Sequence, residues 1–177
     1  TATIAAGRRT TPLFGLGLVD AMSDGYLRGL ARFEANFRPA TAGKPNVVTD
    51  IITGKPTIGR FGWKSQVASL FVFSGDAYLN EMGITTPMFP DESCPQGDCA
   101  SLACDPVPGP DDADLDGVEA FRDFMAFLAP PRPAHIDYGY DPGFGSGYPA
   151  YLSPQALGSQ LFDRVGCADC HVRVLTT

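Results

Sequence analysis

Apolar residues recur at intervals of three and four along four stretches of the chain, which is the spacing of one helix face. Polar residues fill the positions between them, so each stretch predicts an amphipathic helix. The apolar positions are Tyr26, Leu27, Leu30 and Phe33 in the first stretch, Val67, Leu70, Phe71, Ala77, Tyr78 and Met82 in the second, Val118, Phe121, Phe124, Met125 and Leu128 in the third, and Leu157, Leu161, Phe162 and Val165 in the fourth.

Residues that favour helix ends flank these stretches. Ser23 and Ser65 are predicted N-caps of the first two helices, and Gly83 is the predicted end of the second. Pro130 and Pro131 stop the third helix, because proline cannot continue it. Ser153 followed by Pro154 supplies a cap and a first-turn proline for the fourth.

The segments between the helices are irregular, in keeping with 16 Pro and 20 Gly in 177 residues. Residues 38–62 and 130–152 carry the clearest turn and linker signals. Val47 to Ile52 is rich in β-branched residues, but no partner strand is evident, so we expect a loop there. The predicted fold class is therefore mainly α, with long Pro/Gly-rich loops and little or no sheet.

Composition limits the function classes. The length suggests one domain or parts of two. A net charge of −7 disfavours nucleic acid and anionic membrane surfaces, which both attract Lys/Arg clusters. No apolar run approaches the roughly 18 residues of a membrane span. Residues 1–7 lack the regions of a signal peptide, so an exported protein would imply a processed or incomplete chain.

The strongest chemical signal is Cys167-Ala-Asp-Cys170-His171, a C-x-x-C-H run. This spacing is typical of c-type haem attachment, with two thiols for the vinyl groups and His171 as an iron ligand. A zinc site would need a second ligand pair, and a redox dithiol would need a βαβ setting. Neither accompanies the motif, so we predict covalently bound haem c.

Cys94, Cys99 and Cys104 stand at even spacing in a loop rich in Pro, Gly and Asp. In an oxidising compartment we expect one disulfide among them, with three possible pairings and one cysteine left over. Three thiols without a fourth ligand disfavour a zinc or iron–sulfur site.

A possible calcium loop precedes the third helix. Asp112, Asp114, Asp116 and Asp123 stand at about positions 1, 3, 5 and 12, with Gly117 at position 6, as in an EF-hand. Position 12 lacks the longer Glu, and position 8 is acidic where an aliphatic residue is usual. The alternative is an acidic first helical turn, which the helix dipole favours.

The stretch from Gly158 to His171 resembles the opening helix and haem motif of a class I cytochrome c domain. The helix of residues 118–130 resembles the closing helix of another such domain. In one complete cytochrome c domain the haem motif comes first and the closing helix last, so the order in this chain is inverted. The resemblance therefore implies that the chain spans the end of one domain and the beginning of the next. We expect residues 1–129 to end a first cytochrome domain, 130–152 to be a linker and 153–177 to begin a second.

Three blocks, residues 9–18, 59–64 and 81–85, resemble a bacterial di-haem c-type cytochrome family of thiol oxidoreductase type, which is related to the di-haem cytochrome c peroxidases. That family has a further C-x-x-C-H upstream of the first block, so the resemblance implies a second haem in the intact protein. It also implies that this chain is an internal slice.

The resemblance suggests roles for individual residues. Met82 is a candidate distal ligand of the upstream haem, and Arg9, Arg60 and Trp63 are candidate partners of haem propionates. The alternatives are a core methionine, surface arginines and a packing tryptophan. His135 is a candidate second histidine ligand of the haem attached at Cys167, and a solvated loop histidine is the competing interpretation.

The sequence therefore predicts a periplasmic or extracellular c-type cytochrome that transfers electrons between redox proteins. One alternative is an enzyme, a peroxidase-like or thiol-oxidising di-haem oxidoreductase, which would need an open iron position and a distal base. Another is an accessory cytochrome subunit of a larger redox complex.

Overall fold

The computed structural model describes residues 7, 10–94, 97, 99–105, 107, 109–131 and 154–177. Arg9 and His135 lie outside these residues, so the predictions made for them are not addressed. The chain divides into two compact units, one of residues 1–24 and 45–130 and the other of residues 25–44 and 131–177. They are called the first and second unit below.

Five α-helices and one short hairpin make up the regular structure of the described residues. The fold is thus mainly helical, as predicted, with a single two-stranded sheet. The elements are α1 (Leu16–Asp20), α2 (Asp24–Phe37), β1 (Val47–Thr49), β2 (Pro56–Ile58), α3 (Leu70–Ala77), α4 (Asp116–Phe127) and α5 (Pro154–Arg164), with a π-helical turn at Tyr78–Met82 and 3₁₀ turns at Ala100–Cys104 and Cys167–Asp169.

The prediction of a loop at residues 47–52 was wrong for its first half. Val47 pairs with Ile58 and Thr49 with Pro56 in an antiparallel hairpin. Asp50 closes the turn, because its carboxylate accepts from the Ile52 N–H at 3.1 Å. The partner strand was overlooked because it is only three residues long and begins with a proline, which is tolerated at a strand end.

The second predicted helix begins later than expected. Val67 pairs with Phe61 in an isolated bridge, so the chain is still extended there. Helix α3 starts after Ser69, whose hydroxyl accepts from the Val72 N–H at 3.3 Å. Its far end is as predicted: the π-helical turn stops at Gly83, which has a φ of +68°.

The core of the first unit forms where α3 packs against α1 and α4. Leu70 and Val118 are fully buried at its centre. Gly17 allows α1 to approach α4 closely, since a Cβ at this position would lie 2.2 Å from the Ala126 carbonyl oxygen. The core cluster comprises Phe61, Val67, Leu70, Val72 and Met125.

No helix of the described residues has the length and apolarity that crossing a bilayer requires.

Candidate functional site

The C-x-x-C-H motif directly follows α5. Gly166, with a φ of +83°, ends the helix, and the 3₁₀ turn Cys167–Asp169 begins at once. The backbone N–H of His171 donates to the Cys167 carbonyl at 2.9 Å, as does that of Cys170 at 3.2 Å. Cys167 and His171 are therefore one helical turn apart and lie on the same side of the segment. Both motif cysteines are free thiols and exposed.

A cavity of about 330 Å³ opens beside this turn within the second unit. Helix α2 and the residues just after it form one part of its wall, and α5 with the motif segment forms the other. Its lining residues are Leu30, Phe33, Glu34, Arg38, Asp163, Ala168, His171, Val172 and Arg173.

Two arginines in the wall bind the polar groups around the cavity. Arg38 donates from Nη1 to the Ala168 carbonyl oxygen at 3.2 Å, within the C-x-x-C-H motif itself. Arg173 donates to Asp163 Oδ1 at 2.9 Å and to the Ser159 hydroxyl at 2.7 Å. Arg173 thus ties the segment after the motif back to α5.

Aromatic rings border the same region. The Arg173 guanidinium lies over the Phe162 ring, 5.0 Å from its centroid. The Phe162 ring centroid lies 6.3 Å from that of His171. On α2, the rings of Phe33 and Phe37 lie 4.7 Å apart, and both are more than half exposed.

No second-unit side chain that the structure describes is buried. Apolar residues such as Leu161 and Phe33 instead remain more than half exposed. Burial of apolar surface is the main source of folding free energy, so the described part of this unit lacks a core of its own. A large apolar ring system held by two thiols and an imidazole would supply that missing surface. The cavity and its donor set therefore fit a haem.

Met82 and Trp63 lie on the surface of the first unit. Met82, at the end of the π-helical turn, is 48% exposed, so its thioether is not committed to the core. Trp63, 61% exposed, projects from a turn in which Gly62, Lys64 and Ser65 all have positive φ. Their proposed roles toward an upstream haem stay predictions.

Arg60 points inward. Its Nη2 donates to Asp24 Oδ1 at 2.8 Å and to the Met22 carbonyl at 2.7 Å, while Nη1 donates to the Ile58 carbonyl at 2.6 Å. The Arg60 side chain is only 9% exposed. These contacts give Arg60 a structural role, and its pairing with a propionate stays a prediction.

Asp24 is the centre of this polar cluster. Partial burial raises the pKa of Asp24. Hydrogen bonds from Arg60, the Ile58 N–H and the Thr57 hydroxyl lower this pKa by more than burial raises it. The pKa of the carboxyl is therefore held below its ordinary value, and Asp24 stays ionised.

The acidic run before α4 caps the helix. Asp112 accepts from the Val118 N–H at 3.0 Å, and Asp114 accepts from the Asp116 N–H at 3.4 Å. Asp116 and Asp123 are both in α4, about 10 Å apart along its axis at 1.5 Å per residue. The structure thus does not bring the four carboxylates together, and no metal-ligating cluster occurs among the described residues. Calcium binding stays a prediction.

The predicted disulfide in the cysteine loop joins Cys94 to Cys99. Of the three possible pairings, Cys94–Cys99 and Cys99–Cys104 would close rings of the same, shortest length. Cys104 ends the 3₁₀ turn Ala100–Cys104. A rise of about 2 Å per residue would place Cys104 about 10 Å from Cys99 along that turn, too far for a disulfide.

A second cavity, of about 280 Å³, lies in the first unit above Val67, Ala68 and Val72. Asp76 lines it and accepts from the Asn80 side chain at 3.0 Å. Burial, and to a lesser degree the nearby Glu81 charge, raise the pKa of Asp76 above its ordinary value.

The sequence analysis missed the contribution of α2 to the site. Leu30 and Phe33 were predicted as one apolar helix face, but nothing indicated what that face would meet. Glu34 and Arg38 were not singled out at all. No local signal could have found Arg38, because its partner Ala168 lies 130 residues further along the chain.

Comparison with protein families gives one match. Residues 2–102, more than half of the chain, match the sequence model of the family described as "di-haem oxidoreductase, putative peroxidase". The matched range ends before the Cys167–His171 motif. Neither the curated proteins nor the solved structures include a match to the chain. The chain belongs to the di-haem oxidoreductase family and is therefore a haem-dependent redox protein.

Proposed function

We propose that the chain binds haem c covalently through Cys167 and Cys170, with His171 as an iron ligand, and transfers electrons between redox proteins. The observation that carries this proposal is the cavity beside His171 in a unit whose described side chains include no buried one. Bound haem would supply a reversible one-electron couple.

The chain's own residues would do the rest. Cys167 and Cys170 would tether the group at the end of α5, and the helical turn holding His171 would orient its imidazole. Leu30 and Phe33 would cover apolar edges and exclude water, which tunes the potential. Because c-type attachment takes place outside the cytoplasm, we place the protein in the periplasm or at the cell exterior.

Covalent attachment is tested by a pyridine haemochrome assay combined with intact mass, after export in a host with c-type maturation. The wild-type chain is expected to carry one haem. The double variant C167S/C170S should carry none, whereas the control C94S/C99S should retain it. A wild-type chain with no covalent haem would refute the proposal.

A second candidate function, peroxide reduction, is favoured by one observation. Glu34 lines the same cavity as His171, and its carboxylate is an acid–base group of the kind that peroxide cleavage requires. Its Oε2 accepts from the Gly43 N–H at 2.8 Å, which holds it in place. The described lining residues include no methionine and no second histidine, so none of them competes for the iron.

Turnover with hydrogen peroxide separates the two functions. An electron carrier would be oxidised by a protein acceptor but would show slow peroxide turnover that Glu34→Gln leaves unchanged. An enzyme would show fast turnover that falls by roughly 10²-fold or more in Glu34→Gln, the usual range for loss of a general acid–base. Asp163→Asn, in the other part of the cavity wall, is the matched control.

A further inference from the structure

Arg38 is the one described residue of α2 and its following loop that donates a hydrogen bond to the haem motif. The bond from its Nη1 to the Ala168 oxygen, at 3.2 Å, joins segments 130 residues apart. A carbonyl in the middle of the C-x-x-C-H turn is thereby held by a charged donor. Hydrogen bonds of this kind are about twice as strong as neutral ones.

Arg38 also lines the cavity. A guanidinium has five N–H donors, and the bond to Ala168 uses one. Among the described residues, the arginines in ion pairs with carboxylates are Arg60, Arg122 and Arg173, so Arg38 has no such partner. Glu34, one turn earlier on α2, has its carboxylate bound by the Gly43 N–H.

Among the described lining residues, Arg38 is thus an arginine without a carboxylate in an ion pair. Haem carries two propionate carboxylates, and a guanidinium binds carboxylates through two parallel bonds. We propose that Arg38 is a positioning residue that holds the haem motif through Ala168 and binds a haem propionate with its other donors. The inference rests on the proposed function, since it concerns the same cavity, and it gives Arg38 the kind of role that the sequence predicts for Arg9 and Arg60.

The charge of Arg38 is tested by the midpoint potential of the haem-loaded chain. Reduction lowers the positive charge at the iron, so a neighbouring cation favours the reduced form. Removal of the charge in Arg38→Ala and Arg38→Gln should make reduction about tenfold less favourable, or about 59 mV lower for one electron. Arg38→Lys keeps the charge and should keep most of the potential.

The matched control is Arg32→Ala, because Arg32 is an exposed arginine of α2, the helix that ends just before Arg38, and lies outside the cavity lining. Its potential should equal that of the wild type. The inference would be overturned if the midpoint potentials of Arg38→Ala and Arg38→Gln equalled that of Arg32→Ala. Covalent haem in all three variants would still leave the proposed function standing.

A second measurement needs no covalent attachment. Unloaded chains carrying C167S/C170S are titrated with iron protoporphyrin IX and with its dimethyl ester, which lacks the carboxylate charges. The chain with Arg38 should bind the free acid about tenfold more tightly than the ester, and Arg38→Gln should lose this preference. Equal preference in both chains would also overturn the inference, whatever the outcome of the haemochrome assay.

Discussion

Arg60 and Asp24 form a partly buried ion pair in which Nη2 and Oδ1 lie 2.8 Å apart. Arg60 also binds the carbonyls of Met22 and Ile58, so one side chain joins the segment before α2 to strand β2. The block Gly59-Arg60-Phe61 thus contributes to the architecture of the first unit.

Arg60→Met should lower the free energy of unfolding by about 2 to 3 kcal/mol. Loss of the guanidinium removes one donor from the carbonyls of Met22 and Ile58 and the charged partner from Asp24, which keeps its bonds from Thr57 and Ile58. The one-third exposure of Asp24 further limits the cost. Urea unfolding followed by fluorescence of Trp63, the only tryptophan, measures the change. Arg122→Met, which removes a more exposed pair, is the control and should cost less than about 1 kcal/mol. Equal losses would contradict the structural role of Arg60.

The stability of the first unit should fall in acid because of Asp24. Its folded-state pKa is below the ordinary value of 3.8, so the unfolded chain binds the proton more readily. The stabilisation is fully present above pH 3.8 and is lost as pH falls through the lowered folded pKa. Urea midpoints between pH 2 and 6 should therefore vary less in Asp24→Asn than in the wild type. A parallel pH profile in the two proteins would count against this assignment.

Asp76 should make the stability of the first unit depend on pH in the opposite direction. The folded-state pKa of Asp76 is raised above 3.8. Its contribution to stability is therefore fully present below pH 3.8 and is lost as pH rises through the folded-state pKa. Asp76→Asn removes the charge and keeps an oxygen to accept from Asn80. We expect a higher urea midpoint than wild type at pH 7 and no gain at pH 3. Asp91→Asn, an exposed acid of the same unit, should change neither value.

The close approach of α1 and α4 predicts a cost for any side chain at Gly17. A methyl group there would meet the Ala126 carbonyl oxygen at 2.2 Å, and backbone cannot move aside as a flexible side chain can. Gly17→Ala should therefore destabilise by about 1 to 3 kcal/mol. Gly29→Ala is the matched control, because no atom lies within 4 Å of its added Cβ and alanine favours helix by up to about 1 kcal/mol. Thermal unfolding by circular dichroism should show opposite shifts for the two variants.

The described helices show where the local sequence pattern was sufficient to predict the secondary structure. Residues 24–37, 116–127 and 154–164 are helical within about two residues of the predicted limits. Periodicity and capping act over one or two turns, so they can be recognised without knowledge of the rest of the fold. The short α1 was missed, because five residues are too few to display a period.

Contacts between distant segments were not predictable in this way. The start of α3 depends on the bridge between Phe61 and Val67, which displaced the predicted cap from Ser65 to Ser69. The ion pair of Arg60 with Asp24, 36 residues away, was likewise not indicated by the sequence.

The sequence by itself determined most of the helical elements and the family blocks, and it predicted haem attachment at Cys167–His171, because each depends on residue types at fixed short spacing. The tertiary structure decided which residues face that motif. The face of α2 that carries Leu30 and Phe33 lines the cavity with His171, and Arg38 reaches Ala168, although the chain between them includes the whole first-unit segment 45–130. Such a pairing depends on how all the intervening segments pack, and no local spacing encodes it.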